Sequence, residues 1–158
     1  MINRSMLVVA AALLCAGCAP LRQTAAPAAV VSKDEVSAFL TNYLAAIGSR
    51  DATSIRAALV TGDRLAWIED GKVSYRSADA VIAGLAAFPA GTAIRTELTD
   101  LDVVPVGQSG AHAWATFRTS VGEGAAAFSF GGAISFMLER DGDSWKIVGG
   151  HTSSPRRR

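Results

Sequence analysis

Cysteine is nearly absent from this chain of 158 residues: Cys15 and Cys18, close to the start, are the only two. Everything beyond Cys18 therefore has no disulfide framework, no thiol nucleophile and no thiolate ligand. Histidine is equally scarce, at His112 and His151. With no Cys, Asp or Glu at ligand spacing around them, no metal site is expected. No Ser-His-Asp arrangement, phosphate loop or dinucleotide fingerprint occurs, and Gly122-Glu123-Gly124 is a turn too short to cradle a phosphate. No cofactor is expected on these grounds. Charged residues make up 18% of the chain and aromatic residues 7%. Half of the residues are apolar, enough to bury a core and to exclude global disorder. Basic excess is missing too: from Lys33 to His151, 10 Lys and Arg stand against 14 Asp and Glu, a net −4. The formal +1 of the whole chain comes from Arg4, Arg22 and the run Arg156-Arg157-Arg158. A domain of this charge lacks the basic patch that nucleic-acid binding needs, so no nucleic-acid partner is expected.

What is present begins with an export signal. Residues 1–17 read as a signal peptide, with Arg4 in a positive n-region and an apolar stretch from Leu7 to Ala16 that is too short to span a bilayer. It runs into Leu14-Cys15-Ala16-Gly17-Cys18-Ala19, which resembles the bacterial lipobox, with Cys15 where a leucine is usual and Leu14 one step further out. The resemblance implies lipidation of Cys18. Because Ala19 rather than an aspartate follows, it also implies sorting to the outer membrane, facing the periplasm; simple secretion with cleavage near Ala19 is the alternative. Residues 18–31, rich in Ala, Pro, Thr and Gln, read as a flexible tether. The domain is expected over residues 32–153, and residues 154–158 read as a solvated basic tail.

Ser32 followed by Glu35 is a capping box. Val36, Phe39, Leu40, Tyr43, Leu44 and Ile47 then form an apolar stripe on a helix that ends at Gly48. Asp51 caps a short second helix carrying Ile55, Ala58 and Leu59. Asp70-Gly71 sits between two short apolar runs and predicts a hairpin, and Ser77 caps a third helix over Ala78–Phe88. From there the pattern turns to strands over Ala93–Val106, Ala111–Val121, Ala127–Arg140 and Ser144–Ser153, separated by turn residues. In the third of these, Phe128, Phe130, Ile134, Phe136 and Leu138 share one face and small residues the other, with Gly131-Gly132 read as a bulge or bend. Helices gathered on one face of a long antiparallel meander make an α+β layer fold.

Two stretches carry a family resemblance. One is Asn42-Tyr43-Leu44-Ala45-Ala46-Ile47-Gly48-Ser49-Arg50-Asp51, continuing through Thr61-Gly62-Asp63 to the turn at Gly71. The other is the ending Asp141-Gly142-Asp143-Ser144-Trp145-Lys146-Ile147-Val148-Gly149-Gly150-His151-Thr152-Ser153. With the element order, they resemble SnoaL-like domains of the nuclear-transport-factor-2-like fold, and also the association domain of calmodulin-dependent kinases. The resemblance implies a curved sheet wrapped around three helices as a cone with a pocket at its open end. It does not imply an activity, since this superfamily contains enzymes, hubs and pure binders.

Candidate site residues follow from that expected pocket. An isomerase-type site would need a carboxylate base on the first strand, but the Asp63 and Gly71 landmarks put that position at Ile68, and alternation was taken to point Glu69 to the other face. Asp100 and Asp102 share a strand face and read as solvated. His151 is the best polar candidate, as acid, base or hydrogen-bond donor; a structural histidine is the other reading. Arg118 resembles the pocket arginine of the kinase association domain and would suit a carboxylate; otherwise it is an exposed edge residue. Tyr43, Trp67, Tyr75 and Trp114 are candidates for an aromatic pocket mouth, and Trp145 for a core anchor. Three functions stay open: binding of a small, mostly apolar ligand; acid/base catalysis through His151; and a homodimerising module using the Phe128, Phe130, Ile134 and Phe136 row on an outer sheet face.

Overall fold

The computed structural model describes residues 31–155; the expected signal peptide, Cys18, most of the expected tether and Arg156–Arg158 lie outside the described residues. Ser32 opens the first helix, α1 (Lys33–Ser49), its side chain accepting from the Glu35 N–H. Val36, Leu40, Tyr43 and Ala46 form the buried face of α1. Arg50 ends the helix in the left-handed conformation at φ 57°, and its N–H returns to the Ala46 and Ile47 carbonyls. Asp51 starts α2 (Ala52–Ala58) by accepting from the Thr53 and Ser54 N–H groups and, at 2.6 Å, from the Ser54 hydroxyl. That hydroxyl is the main reason its carboxyl is held below the usual carboxylate range.

Strands β1 (Ala66–Glu69) and β2 (Lys72–Tyr75) form the expected hairpin. Its turn, Asp70-Gly71, takes positive φ at both residues, 45° and 84°, the pair of conformations that favours Asp-Gly here. Ser77 caps α3 (Ala78–Ala86), which stops two residues before the expected Phe88. Arg50 closes the turn that follows, donating to the carbonyls of Pro89 at 3.0 Å and Thr92 at 3.2 Å. Then come β3 (Ile94–Val106), β4 (Gly110–Val121), β5 (Phe128–Asp141) and β6 (Ser144–Ser153).

The six strands form one sheet in the order β2-β1-β6-β5-β4-β3. Every neighbouring pair is antiparallel except β1 with β6, which is parallel. The three helices pack on one face of this curved, open sheet, the α+β arrangement anticipated from the element order. Phe136, Ile147, Leu40, Val36, Ile55, Leu59 and Leu65 are fully buried between the layers. Trp145 is buried as well, with the Arg140 guanidinium 4.4 Å from its ring centroid. Arg140 also pairs with Glu35 at 2.5 Å, fastening the last hairpin to the start of α1.

Two expectations need correction. The β5 row does not lie on an outer face: Ile134, Phe136 and Leu138 point to the helices and are buried, while Phe128 and Phe130 on the same face run past the helical layer and are exposed. Ile134 and Phe136, as core residues, are therefore not part of an outer surface. Gly131-Gly132 is not a bulge either, since β4 and β5 pair without interruption from Gly110↔Glu139 to Val121↔Phe128. At these glycines a Cβ would run into the Phe117 and Ser153 carbonyl oxygens, so they let the strands cross at close quarters where β6 leaves the sheet. The irregularity falls instead between β5 and β6, where Met137 pairs with Gly149 but Leu138 pairs with Ile147, leaving Val148 as the extra residue.

Phe136→Ala is expected to lower stability by roughly 3–5 kcal/mol, the cost of an unfilled core. Phe128→Ala should stay within about 0.5 kcal/mol, because its ring is solvent-facing. Urea denaturation of the two variants checks the pair, and equal losses would contradict the assigned strand face.

Candidate functional site

The concave face of the sheet closes over α1 and α3 to leave a cavity of about 390 Å³, within the range of roughly 300–1,000 Å³ typical of small-molecule sites. Its floor is apolar: Leu44 and Ile47 from α1, Val81 and Leu85 from α3, and Ile94, Phe117, Val121 and Ile134 from the sheet. Aromatic side chains make up much of the wall. Tyr43 comes from the buried stripe of α1, Trp67 from β1, Tyr75 from β2, Phe88 from beyond α3, and Phe130 from β5. Phe130 meets Phe117 edge-on at 6.1 Å and stacks with Phe128 at 6.3 Å, so an aromatic series runs from the interior to the rim.

Close packing by glycine makes room for two of these rings. A Cβ on Gly150 would overlap the six-membered ring of Trp67, and one on Gly84 of α3 would come within 2.9 Å of the Tyr75 ring. Each ring therefore sits against a glycine whose missing Cβ leaves it room.

Polar groups are few and sit in two places. The Thr96 and Thr119 hydroxyls, on facing strands, are 2.8 Å apart; one O–H is used within the pair and the other remains for a ligand. At the other place are Glu69, Asp70, Thr152 and Ser154. The Asp70 carboxylate accepts from the Ser154 N–H at 2.7 Å, and the Asp70 N–H donates to the Thr152 carbonyl at 3.0 Å, tying the hairpin turn to the end of β6. Burial pushes the Tyr43 phenol well above its ordinary 10.0, with neighbouring Tyr75 and then Glu69 adding to the rise. Tyr75 is raised in the same direction, by burial first and Glu69 second. Both phenols are thus neutral hydrogen-bond donors at physiological pH.

The structure brings together Tyr43, Trp67 and Tyr75 at this cavity and leaves Trp114, Arg118 and His151 outside it. Trp114 and Arg118 alternate with the buried residues of β4 and face the outer side. There Trp114 packs against His112 at 5.3 Å and Arg118 donates to the Ser129 hydroxyl at 3.0 Å. His151 is exposed. Counted by alternation from the buried Trp145 and Ile147 it would point inward; the extra residue Val148 reverses the alternation, so Gly150 and Thr152 face the cavity and His151 faces out. Asp102 pairs with Lys33 at 3.4 Å on the surface, and Asp100 is exposed.

Glu69 is the reverse case. It shares parity with Trp67, and the parallel register Trp67↔Gly150, Ile68↔His151, Glu69↔Thr152 carries Glu69 inward and Ile68 outward. The expected position was off by one residue; counting two from the buried Trp67 would have found it. Among the described residues no group of three His, Cys, Asp or Glu could hold a metal ion, and no helix is long and apolar enough to cross a membrane.

A helix-lined, cone-shaped sheet with one apolar cavity defines the class. The SnoaL-like domain family matches residues 36–157, and the chain belongs to that family. Solved structures share the fold. An NTF2-like protein of unknown function in nutrient uptake from Rhodospirillum rubrum has 21% identity and a TM-score of 0.64 over 78% of this chain and 100% of its own. A putative dehydratase of the NTF2-like family from Streptomyces avermitilis has 18% identity and a TM-score of 0.66, covering 78% and 97%. A putative calcium/calmodulin-dependent protein kinase II association domain from Xanthomonas campestris has 14% identity and a TM-score of 0.66, covering 83% and 93%. No curated protein matches the chain.

Tyr43 and Tyr75 are the only two tyrosines, so ultraviolet titration reads the cavity directly. The folded protein should show a smaller tyrosinate band at pH 10 than the unfolded chain, whose free phenols are half ionised there. Because the unfolded phenols ionise near 10.0 and the folded ones higher, stability is fully present below that pH and falls as pH rises beyond it. A band of ordinary size at pH 10 without unfolding would contradict the buried arrangement.

Proposed function

We propose that this protein binds a small, mostly apolar molecule in the cone cavity. The observation that carries the reading is the cavity itself: apolar at its floor, aromatic along its wall, with a few polar groups at two fixed places. That composition is the usual one for a small-molecule site. No reaction is assigned. Catalysis through His151 loses its basis because that side chain faces outward, and recognition of a carboxylate by Arg118 loses its basis for the same reason.

The test begins with the full-length protein purified under native conditions, denatured, and its released small molecules identified by mass spectrometry. A bound molecule is expected from the wild type and none from Leu85→Trp, whose indole would fill the space beside Val81. Arg118→Ala and His151→Ala should retain the molecule in full. Equal recovery from wild type and Leu85→Trp would place the molecule elsewhere and sink this reading.

We further propose that the domain works in the cell envelope, held at the outer membrane by a lipid on Cys18. The lipobox-like Leu14-Cys15-Ala16-Gly17-Cys18 supports this. Radiolabelled palmitate supplied to cells expressing the protein should label the wild type and fail to label Cys18→Ser. Label absent from the wild type would favour simple secretion, and label retained in Cys18→Ser would put the lipid on another residue.

A further inference from the structure

The charges of the cavity are all of one sign. Among the described residues Glu69 and Asp70 are its only charged lining residues, and no Lys, Arg or His lines it. Lys72, the cross-strand partner of Glu69, is exposed and forms no ion pair among the described residues, while Arg50 donates to carbonyls at the α3 turn, Arg56 pairs with Asp79, Arg118 donates to Ser129 and Arg140 pairs with Glu35. Asp70 has the Ser154 N–H as a partner, whereas Glu69 enters no ion pair among the described residues. Glu69 is half-buried against an apolar space, with no basic side chain lining that space among the described residues.

The neighbours of Glu69 supply the rest of a recognition chemistry. Trp67, Tyr43 and Tyr75 line the same cavity, and both phenols feel the Glu69 charge. Aromatic π faces attract cations, Trp and Tyr most of all, and aromatic walls are the common means of holding quaternary ammonium groups. An anionic ligand would meet Glu69 and Asp70 with repulsion, and a neutral one would leave Glu69 unpaired. Resting on the reading that the cavity binds a small apolar molecule, we propose that this molecule is an organic cation. Its protonated amine or quaternary ammonium group sits between Glu69 and the Trp67, Tyr43 and Tyr75 rings, and its apolar body runs toward Phe117 and Phe130.

The test is calorimetric titration of the full-length protein with three probes of similar shape: benzyltrimethylammonium, its neutral carbon isostere neopentylbenzene, and anionic phenylacetate. The cation is expected to bind roughly tenfold tighter than the isostere, with phenylacetate weakest. The preference should shrink in Glu69→Gln and with rising salt. Tyr75→Leu, which keeps the carboxylate and removes one π face, should shrink it too, and serves if Glu69→Gln does not fold. Equal or tighter binding of neopentylbenzene, or a cation preference unchanged in both variants, would overturn the organic-cation assignment while leaving the apolar cavity a binding site. Failure of all three probes to bind at millimolar concentration would overturn this assignment and the binding reading together.

Discussion

Strand β6 has one residue more than its partner β5 needs, and the site depends on where that residue falls. Before Val148, Trp145 and Ile147 point to the helices; after it, Gly150 and Thr152 do. A bulge of one residue exchanges the faces of everything downstream because side-chain alternation has a period of two. Here the exchange puts Gly150, not a side chain, beneath the Trp67 ring. It turns His151 to solvent, and through the parallel β1–β6 pairing it is matched to Glu69 facing in. Were the strand to alternate without a bulge from Ile147, Gly149 and His151 would face the cavity in place of Gly150 and Thr152.

The packing that makes the cavity also sets its chemistry. Helices cover the inner face of the sheet only part of the way along β4 and β5, so Phe136 and Ile134 are core while Phe130 and Phe128, on the same face, reach the rim. Burial raises both phenols, and among the described residues Glu69 lines the cavity without an ion-pair partner. Solved structures with the same fold are described variously as a putative dehydratase, a putative kinase association domain and a protein of unknown function in nutrient uptake, which illustrates why the side chains in the cavity, and not the cone, must decide function.

Local chemistry decides what the amino-acid sequence can determine alone. Ser32, Asp51 and Ser77 satisfy the first N–H groups of their helices by contacts within three residues. Asp70-Gly71 can turn in few ways, and apolar spacing sorts helices from strands, so the elements and the α+β class are readable from the chain. Tyr43 was readable in the same way, since the stripe it belongs to has to face the core. What the tertiary structure alone decided is which strand face lines the cavity. That depends on the Val148 bulge, on β1 pairing in parallel with β6, and on how far the helices extend over the sheet, all of them contacts between residues distant in sequence. Trp114, Arg118 and His151 fell outside the cavity and Glu69 inside it for this reason: in a strand a shift of one position reverses a side chain, and only the partner strand fixes the position.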